Sequence, residues 1–311
     1  MRSYLVTGGA GFVGSYLVRF LLERGERVRV LDDFSTGKRE NLKEVEGSIE
    51  IFEGNVCNQA DVSRAIDGVD FVLHEAAIAS VPRSVEAPME SHQANATGTL
   101  VLLEAARAAA VQRLVYASSS SVYGESAELP KREAMPTAPL SPYAVSKLAA
   151  EHYCTTYHRV YGLPTVSLRY FNIFGPRQDP SSPYSGVVSR FIEAISNGEP
   201  PSIHGDGEQS RDFTYVENVA RANYAACHRA EAVGGVYNIG CSERTSVVDL
   251  WREMAVIAGS SLEPRHTPPR AGDVPHSLAD ISLARRDLGY EPAVTFREGL
   301  KHTLSYYEIQ E

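Results

Sequence analysis

Several features are scarce in this chain, and each scarcity closes a route. The four cysteines, Cys57, Cys154, Cys227 and Cys241, are scattered and form no CxxC pair, so neither a disulfide framework nor a thiolate metal site is written into them. Reduced thiols of this kind fit the cytoplasm, where the protein is expected. The nine histidines include no HExxH, and their nearest carboxylates follow no ligand spacing, so no metal is expected. Positive charge is also short. Thirty Lys and Arg stand against 39 Asp and Glu, and a net charge of −9 offers no basic field for a polyanion, which argues against nucleic acid as a partner. No apolar run approaches the ~18 residues of a membrane span, the N-terminal "YLVTGG" is too short for a signal peptide, and no internal repeat occurs. What remains is an ordinary soluble composition, 311 residues at 43% hydrophobic, enough for one large domain or two closely packed ones.

The pattern along the chain sets the fold class. Short β-rich runs, "YLVTGG", "RVRVLD", "IEIFEG", "VDFVLHEAA", "RLVYASS" and "TVSLRYFN", alternate with helical stretches. That alternation predicts an α/β protein with a doubly wound parallel sheet, a Rossmann arrangement. After Gly175-Pro176 proline and glycine crowd the loops "GPRQDPSSPYSG", "NGEPPSIHGDGEQ" and "PPRAGDVP", which reads as a smaller α/β lobe. "VYNIG" at 236–240 has the letters of a late strand returning to the sheet, so the lobe is interleaved. The expected division is a dinucleotide-binding domain over 1–175 with a returning segment near 211–240, and a substrate lobe drawn mainly from 176–210 and 241–311.

"VTGGAGFVGSYL" follows the first strand and opens a helix, with Gly8, Gly11 and Gly14 three residues apart. Glycines there let the backbone approach a pyrophosphate whose charge rests on the helix N-terminus. A tight glycine turn without a ligand has the same letters. The second strand ends in Asp32, 18 residues past Gly14, where a carboxylate suits a ribose 2′-hydroxyl and repels a 2′-phosphate, favouring NAD over NADP. Asp33 and Ser35 continue the loop, and a solvated acidic turn would look identical.

In "SPYAVSK", Tyr143 and Lys147 lie four apart and share a helix face. A neighbouring ammonium, joined by an oxidised nicotinamide, favours the phenolate, so Tyr143 is a candidate general base. The plain alternative is a Tyr and a Lys on a helix surface.

Taken in order, "TGGAGFVGS", "HEAA", "ASSSSVYG", "SPYAVSK", "RYFNIFGPRQDP", "GDGEQSRDFTYVENVA" and "RAGDVPHSLAD" resemble the extended short-chain dehydrogenase/reductases, specifically the nucleotide-sugar 4-epimerases acting on UDP-glucose or UDP-N-acetylglucosamine. The resemblance covers essentially the whole chain. It implies that Ser119 completes a triad with Tyr143 and Lys147, with Ser119 on the sugar 4-hydroxyl and Lys147 also on the nicotinamide ribose. It places NAD against Gly8, Gly11, Phe12, Val13, Asp32, Asp33, Ser35, Asn55, Val56, Ala76, Ala77, Asn95, Tyr143, Lys147 and Tyr170. A UDP-sugar would meet Ser80, Ser119, Ser120, Asn172, Val187, Ile203, Arg211, Arg270, Asp273 and Ser277.

Two positions after Ser119 choose the reaction in this family. Dehydratases carry Asp-Glu there and decarboxylases a Glu at the second, whereas Ser120 and Ser121 stand here, so the keto-sugar is expected to take its hydride back and epimerise. Ser277 leaves room for an N-acetyl group without demanding one. Asn55 replaces the Asp with which most relatives meet the adenine amino group, and its carbonyl accepts without charge assistance, so weaker adenine binding is expected. A homodimer through a four-helix contact is the family pattern, expected around "ANATGTLVLLEAARAAA" and "YAVSKLAAEHYCTTYHRVYG". Competing readings are a UDP-glucuronate 4-epimerase or decarboxylase, and a non-enzymatic NAD-sensing module on the same fold.

Overall fold

All five residues of β1 (Ser3–Thr7) are buried, as are the four of β4 (Phe71–His74) and the six of β6 (Thr165–Tyr170). Burial at every position, without alternation, is what a parallel sheet covered on both faces produces, even where Thr165, Ser167 and Arg169 are the residues buried. In the computed structural model these strands join β2 (Arg27–Asp32), β3 (Glu50–Glu53) and β5 (Arg113–Ser119) through parallel pairings throughout. The structure describes residues 1–179, 186–268 and 275–309. Short strands β7 (Ile173–Phe174), β8 (Ser202–His204), β9 (Ser210–Arg211) and β10 (Thr214–Tyr215) come next. Then β11 (Val236–Ile239) pairs in parallel with β6 and completes a seven-stranded sheet, order β11-β6-β5-β4-β1-β2-β3. Two further strands, β12 (Thr245–Ser246) and β13 (Arg265–Thr267), pair with β9 and β8.

The helices are α1 (Phe12–Leu22), α2 (Gln59–Ile66), α3 (Val81–Glu86), α4 (Pro88–His92), α5 (Gly98–Ala108), α6 (Pro142–Tyr161), α7 (Val187–Asn197), α8 (Val216–His228), α9 (Val247–Ile257), α10 (Ser282–Leu288) and α11 (Phe296–Tyr306). Alternation along the strands divides the core between the two sheet faces. Tyr4, Val6, Phe71, Leu73, Val115, Ala117, Val166 and Leu168 pack with residues of α1 and α8, whereas Leu5, Val72, Leu114 and Tyr116 pack with residues of α2, α5 and α6. A third core, built on Phe174, Phe191, Phe213, Tyr215, Trp251 and Leu300, belongs to the smaller lobe. Asp212, fully buried, stitches the lobe to the returning strand by accepting from the amides of Cys241, Ser242 and Ala279 at 2.7, 3.0 and 3.0 Å. Burial raises its carboxyl to about 6 even though those three donors oppose the shift.

Local chemistry fixes where α6 begins and ends. Ser141 accepts from the amide of Ala144 at 3.2 Å, Pro142 occupies the first turn, and Gly162 closes the helix in the left-handed conformation at φ 71°. Its middle is held by a buried ion pair. Glu151 takes two hydrogen bonds from Arg169 of β6, at 3.0 and 2.6 Å, and one from Ser118 of β5 at 2.6 Å, with the two charged side chains 3% and 6% exposed. Burial works against the Arg169 charge, and Glu151 outweighs it, so the guanidinium ends above its usual range. Removing one partner of such a pair strands the other. Glu151→Ala should therefore lose about 3–5 kcal/mol of unfolding free energy in urea titrations, while the paired exchange Glu151→Leu with Arg169→Met should recover most of it.

Candidate active site

The loop after β1 turns on glycines. Gly8 has φ 68°, and a Cβ there would stand 2.7 Å from the backbone of Ala76; a Cβ on Gly14 would stand 2.1 Å from the Gly8 carbonyl oxygen. No other residue type leaves this backbone so close to both α1 and the end of β4. From the loop a cleft of about 820 Å³ runs along the carboxyl ends of the strands. It is lined by Gly8, Gly11, Asp32, Asp33, Ser35, Asn55, Val56, Ala76 and Ala77, all expected from the sequence, and also by Thr36, Gly37, Cys57, Gln93 and Glu75, which were not. Phe12 and Val13 form the first turn of α1 directly behind it.

Asp32 is almost fully buried, and its carboxylate accepts from the amides of Ala10 and Phe34, both at 2.8 Å. Burial raises its carboxyl, those two donors oppose the rise, and Asp33 adds to it. Asp33 is exposed and accepts from Ser35 and, at 2.8 Å, from the side-chain amide of Asn55. The Asn55 carbonyl meanwhile accepts from the amide of Cys57 at 2.8 Å. Asparagine at this position thus ties the β2 and β3 loops together across the cleft, which a carboxylate facing Asp33 could not do. Asn95 does not line the cleft. Its carbonyl accepts from the Ile78 amide at 2.8 Å and its amide donates to Ile78, Ser91 and Ser146, so it braces the wall from inside the protein.

On α6, Lys147 is 4% exposed, with its ammonium donating to the carbonyl of Ala117 on β5 at 2.8 Å and lying 5.1 Å from the Tyr116 ring centre. Burial pulls its charge down, and Glu75 opposes that pull. Tyr143 was expected to be acidified by Lys147 together with an oxidised nicotinamide, and the protein by itself shifts it the other way. Burial dominates and raises it, the Ser119 hydroxyl opposes, and Glu75 adds to the rise. The protein alone therefore leaves Tyr143 protonated. Ser119 also receives a hydrogen bond from the Ser121 hydroxyl at 2.8 Å, while Ser118 is committed to Glu151 and is structural. His74, buried on β4, is held by Thr7 at 2.7 Å and Thr99 at 2.9 Å. Thr99 donates onward to the Asn95 carbonyl, so His74 donates through Nε2 and accepts at Nδ1, neutral, with burial lowering it to about 3.

Among the lining residues that sequence reading missed, Glu75 is tied into a chain of hydrogen bonds. It accepts from the Tyr170 hydroxyl at 2.8 Å, and Tyr170 in turn accepts from Asn223 of α8 at 2.7 Å. Its signal was present in "HEAA", a carboxylate one residue past a wholly buried strand.

The substrate-side residues are more dispersed. Ser80 caps α3 by accepting from the Arg83 amide at 3.1 Å, Ser120 opens the 3₁₀ turn after Ser119, and Asn172 takes a left-handed φ of 25° beside β7. Val187 begins α7. Ile203 is buried in the lobe core, which leaves only its backbone to a ligand. Arg211 donates to the carbonyls of Ser210 and Pro275, and the Ser277 amide donates to the Ser210 carbonyl at 3.0 Å. Arg270 and Asp273 lie outside the described residues.

Residues 4–240 match the model of the NAD dependent epimerase/dehydratase family. The chain belongs to that family. NAD is its cofactor, and the glycine cradle and the cleft fit the group. The chain is 39% identical over 308 residues to a UDP-glucose 4-epimerase of Mycolicibacterium smegmatis, covering 97% of each. Among solved structures it is similar to a UDP-glucose 4-epimerase of Thermotoga maritima with UDP-glucose, at a TM-score of 0.94 and 39% identity, covering 98% of each chain. It is also similar to a UDP-N-acetylglucosamine 4-epimerase of Methanobrevibacter ruminantium M1 in complex with UDP-N-acetylmuramic acid, at a TM-score of 0.94 and 38% identity over 99% of this chain and 98% of that one.

The Asn55 bridge yields a test. Asn55→Asp brings a second carboxylate against Asp33, raising a carboxyl in the folded state, so the penalty is present at neutral pH and fades as that group protonates. Thermal unfolding should show a loss of about 0.5–1 kcal/mol at pH 7 that disappears toward pH 4. A loss independent of pH would contradict the bridge.

Proposed function

We propose that the protein is an isomerase that inverts C4 of a UDP-hexose, interconverting UDP-glucose and UDP-galactose through a transient 4-keto sugar, with the N-acetylated pair admitted as well. One observation carries the reading. Ser119 hydrogen-bonds Tyr143, Lys147 reaches the carbonyl of Ala117 two residues before Ser119 on β5, and Ser120 and Ser121, not carboxylates, follow Ser119. Dehydratases of the family carry Asp-Glu at these two positions and decarboxylases a Glu at the second, and neither pattern stands here, which favours return of hydride.

NAD, when bound, supplies a hydride acceptor and a positive charge. The residues of the chain handle the proton. Tyr143 takes it from the sugar 4-hydroxyl and returns it to the inverted oxygen, so no net proton leaves the site. Ser119 orients the hydroxyl, and Lys147, anchored by Ala117, presents a fixed ammonium that stabilises the phenolate. Arg211, Arg270 and Asn172 are assigned to the substrate diphosphate, Asp273 to the uridine ribose, Val187 and Ile203 to the uracil side, and Ser80 to the sugar. A diphosphate held at one end leaves the keto-sugar free to turn and present its other face. Ser277, half-buried and small, leaves room for an acetamido group.

The same reading includes a cytoplasmic homodimer. Val145, Tyr153, Val160 and Tyr161 leave an exposed apolar stripe along α6, with Val85 and Met89 on the neighbouring α3 and α4. Among the described residues no helix is long and apolar enough to cross a membrane. Light scattering should give twice the mass of the chain, and a monomer would remove the dimer from the reading.

Incubation with UDP-glucose, UDP-galactose, their N-acetyl analogues and UDP-glucuronate, resolved by chromatography, tests substrate and reaction together. Conversion of the first four into their C4 epimers is expected, whereas action on UDP-glucuronate alone would replace the reading. Tyr143→Phe should fold normally and lose at least ~10²-fold in turnover; activity near that of the unaltered protein would dismiss Tyr143 as the base.

A further inference from the structure

Strand parity explains why Glu75 stands where it does. Phe71, Leu73 and Glu75 alternate on one face of β4 and its extension, and Val166, Leu168 and Tyr170 on the same face of β6, where the apolar members share one core. Glu75 and Tyr170 thus meet at the carboxyl end of the sheet, on the side covered by α8. Lys147 arrives from α6 on the opposite face and binds Ala117 of β5, the strand between β4 and β6. Its ammonium therefore ends near the top of the strand that separates Glu75 from Tyr170.

The hydrogen bonds have a direction. Asn223 donates to Tyr170, and Tyr170 donates to Glu75, so the chain of donors points at the carboxylate and holds it as an acceptor. Glu75 lines the cofactor cleft, and neither the family motif nor the triad assigned it a role. A lone carboxylate in such surroundings would prefer to be neutral. The buried ammonium of Lys147 has the same difficulty, and the two charges favour each other through space.

We propose that Glu75 is a positioning residue of this site: its carboxylate, held by Tyr170 and Asn223 at the edge of the cofactor cleft, governs proton exchange between Tyr143 and the substrate, and so sets the pH range of catalysis. The ionisable groups facing it are Tyr170 from β6, Lys147 and Tyr143 from α6, with Tyr116 of β5, Cys154 of α6 and neutral His74 of β4 behind them. Burial raises Glu75 itself, and Tyr170 and Lys147 oppose that rise. In return Glu75 raises both Lys147 and Tyr143. Loss of its charge must lower both groups together, a signature that a packing role would not give.

The inference rests on the reading of Tyr143 and Lys147 as the acid–base pair, and its test does not require turnover. Glu75→Gln keeps the size and the acceptor for Tyr170 and removes only the charge. Ionisation of Tyr143 is isolated as the ultraviolet difference between each protein and its Tyr143→Phe counterpart, with NAD bound. The midpoint should fall by roughly one pH unit in Glu75→Gln, and Glu75→Asp, which restores charge, should bring it back toward the starting value. With UDP-hexose, both limbs of the pH profile of kcat/KM should move acidward together. An unmoved or raised midpoint in Glu75→Gln overturns the inference even if the unaltered protein epimerises UDP-hexoses. A lowered midpoint in a protein that turns over no sugar nucleotide leaves the inference standing and removes the proposed function. Should Glu75→Gln fail to fold, Glu75→Asp against the unaltered protein carries the comparison, since withdrawing the charge by one methylene should lower the midpoint by a fraction of a unit.

Discussion

Lys147 brings an ammonium group into a place that water barely reaches, and what surrounds it can be understood as the means of keeping it there. Burying a lone cation is unfavourable enough that the group would ordinarily give up its proton. Here the carbonyl of Ala117, the face of Tyr116 and the carboxylate of Glu75 replace the lost hydration. Each comes from a different strand position, so the charge survives only if β4, β5 and α6 are in register. The Glu151–Arg169 pair supplies that register. One helical turn beyond Lys147, it fastens α6 to β6 while Ser118 adds β5, and the lysine cannot drift without breaking a buried salt bridge.

This arrangement also bears on why such a site does nothing until its cofactor is present. In the protein alone, burial keeps the Tyr143 proton in place and Lys147 does not overcome it. On the proposed reading a second positive charge is needed, which an oxidised dinucleotide in the cleft would supply. The glycine loop after β1, the acidic end of β2 and the Asn55 bridge line the same cleft as Glu75. Binding and activation are therefore coupled through one electrostatic requirement.

Much of the fold was legible in the letters. The six β-rich runs became β1 to β6 and "VYNIG" became β11, the seventh strand of the sheet, because β-branched and aromatic runs bounded by turn residues are local properties. The glycine cradle and the Tyr143–Lys147 spacing were legible for the same reason, since helix geometry alone puts residues four apart on one face. Asn95 and Ile203 were less readable: each side chain is buried, Asn95 braced by hydrogen bonds behind Gln93 and Ala94 of the cleft and Ile203 packed in the lobe core. Glu75 was missed because its partners, Tyr170, Asn223 and Lys147, lie on three separate elements far along the chain.

By itself, then, the order of residues determined which segments are strands and helices, where they start, and which residue types are available for chemistry, since those follow from interactions between near neighbours. Only the tertiary structure decided which way the proton affinities move. Lys147 and Tyr143 share a helix face on any reading, but the direction in which each is shifted depends on how much water is excluded around them and on a carboxylate some seventy residues earlier. Desolvation and through-space charge are properties of the packed interior, and no spacing along the chain encodes them.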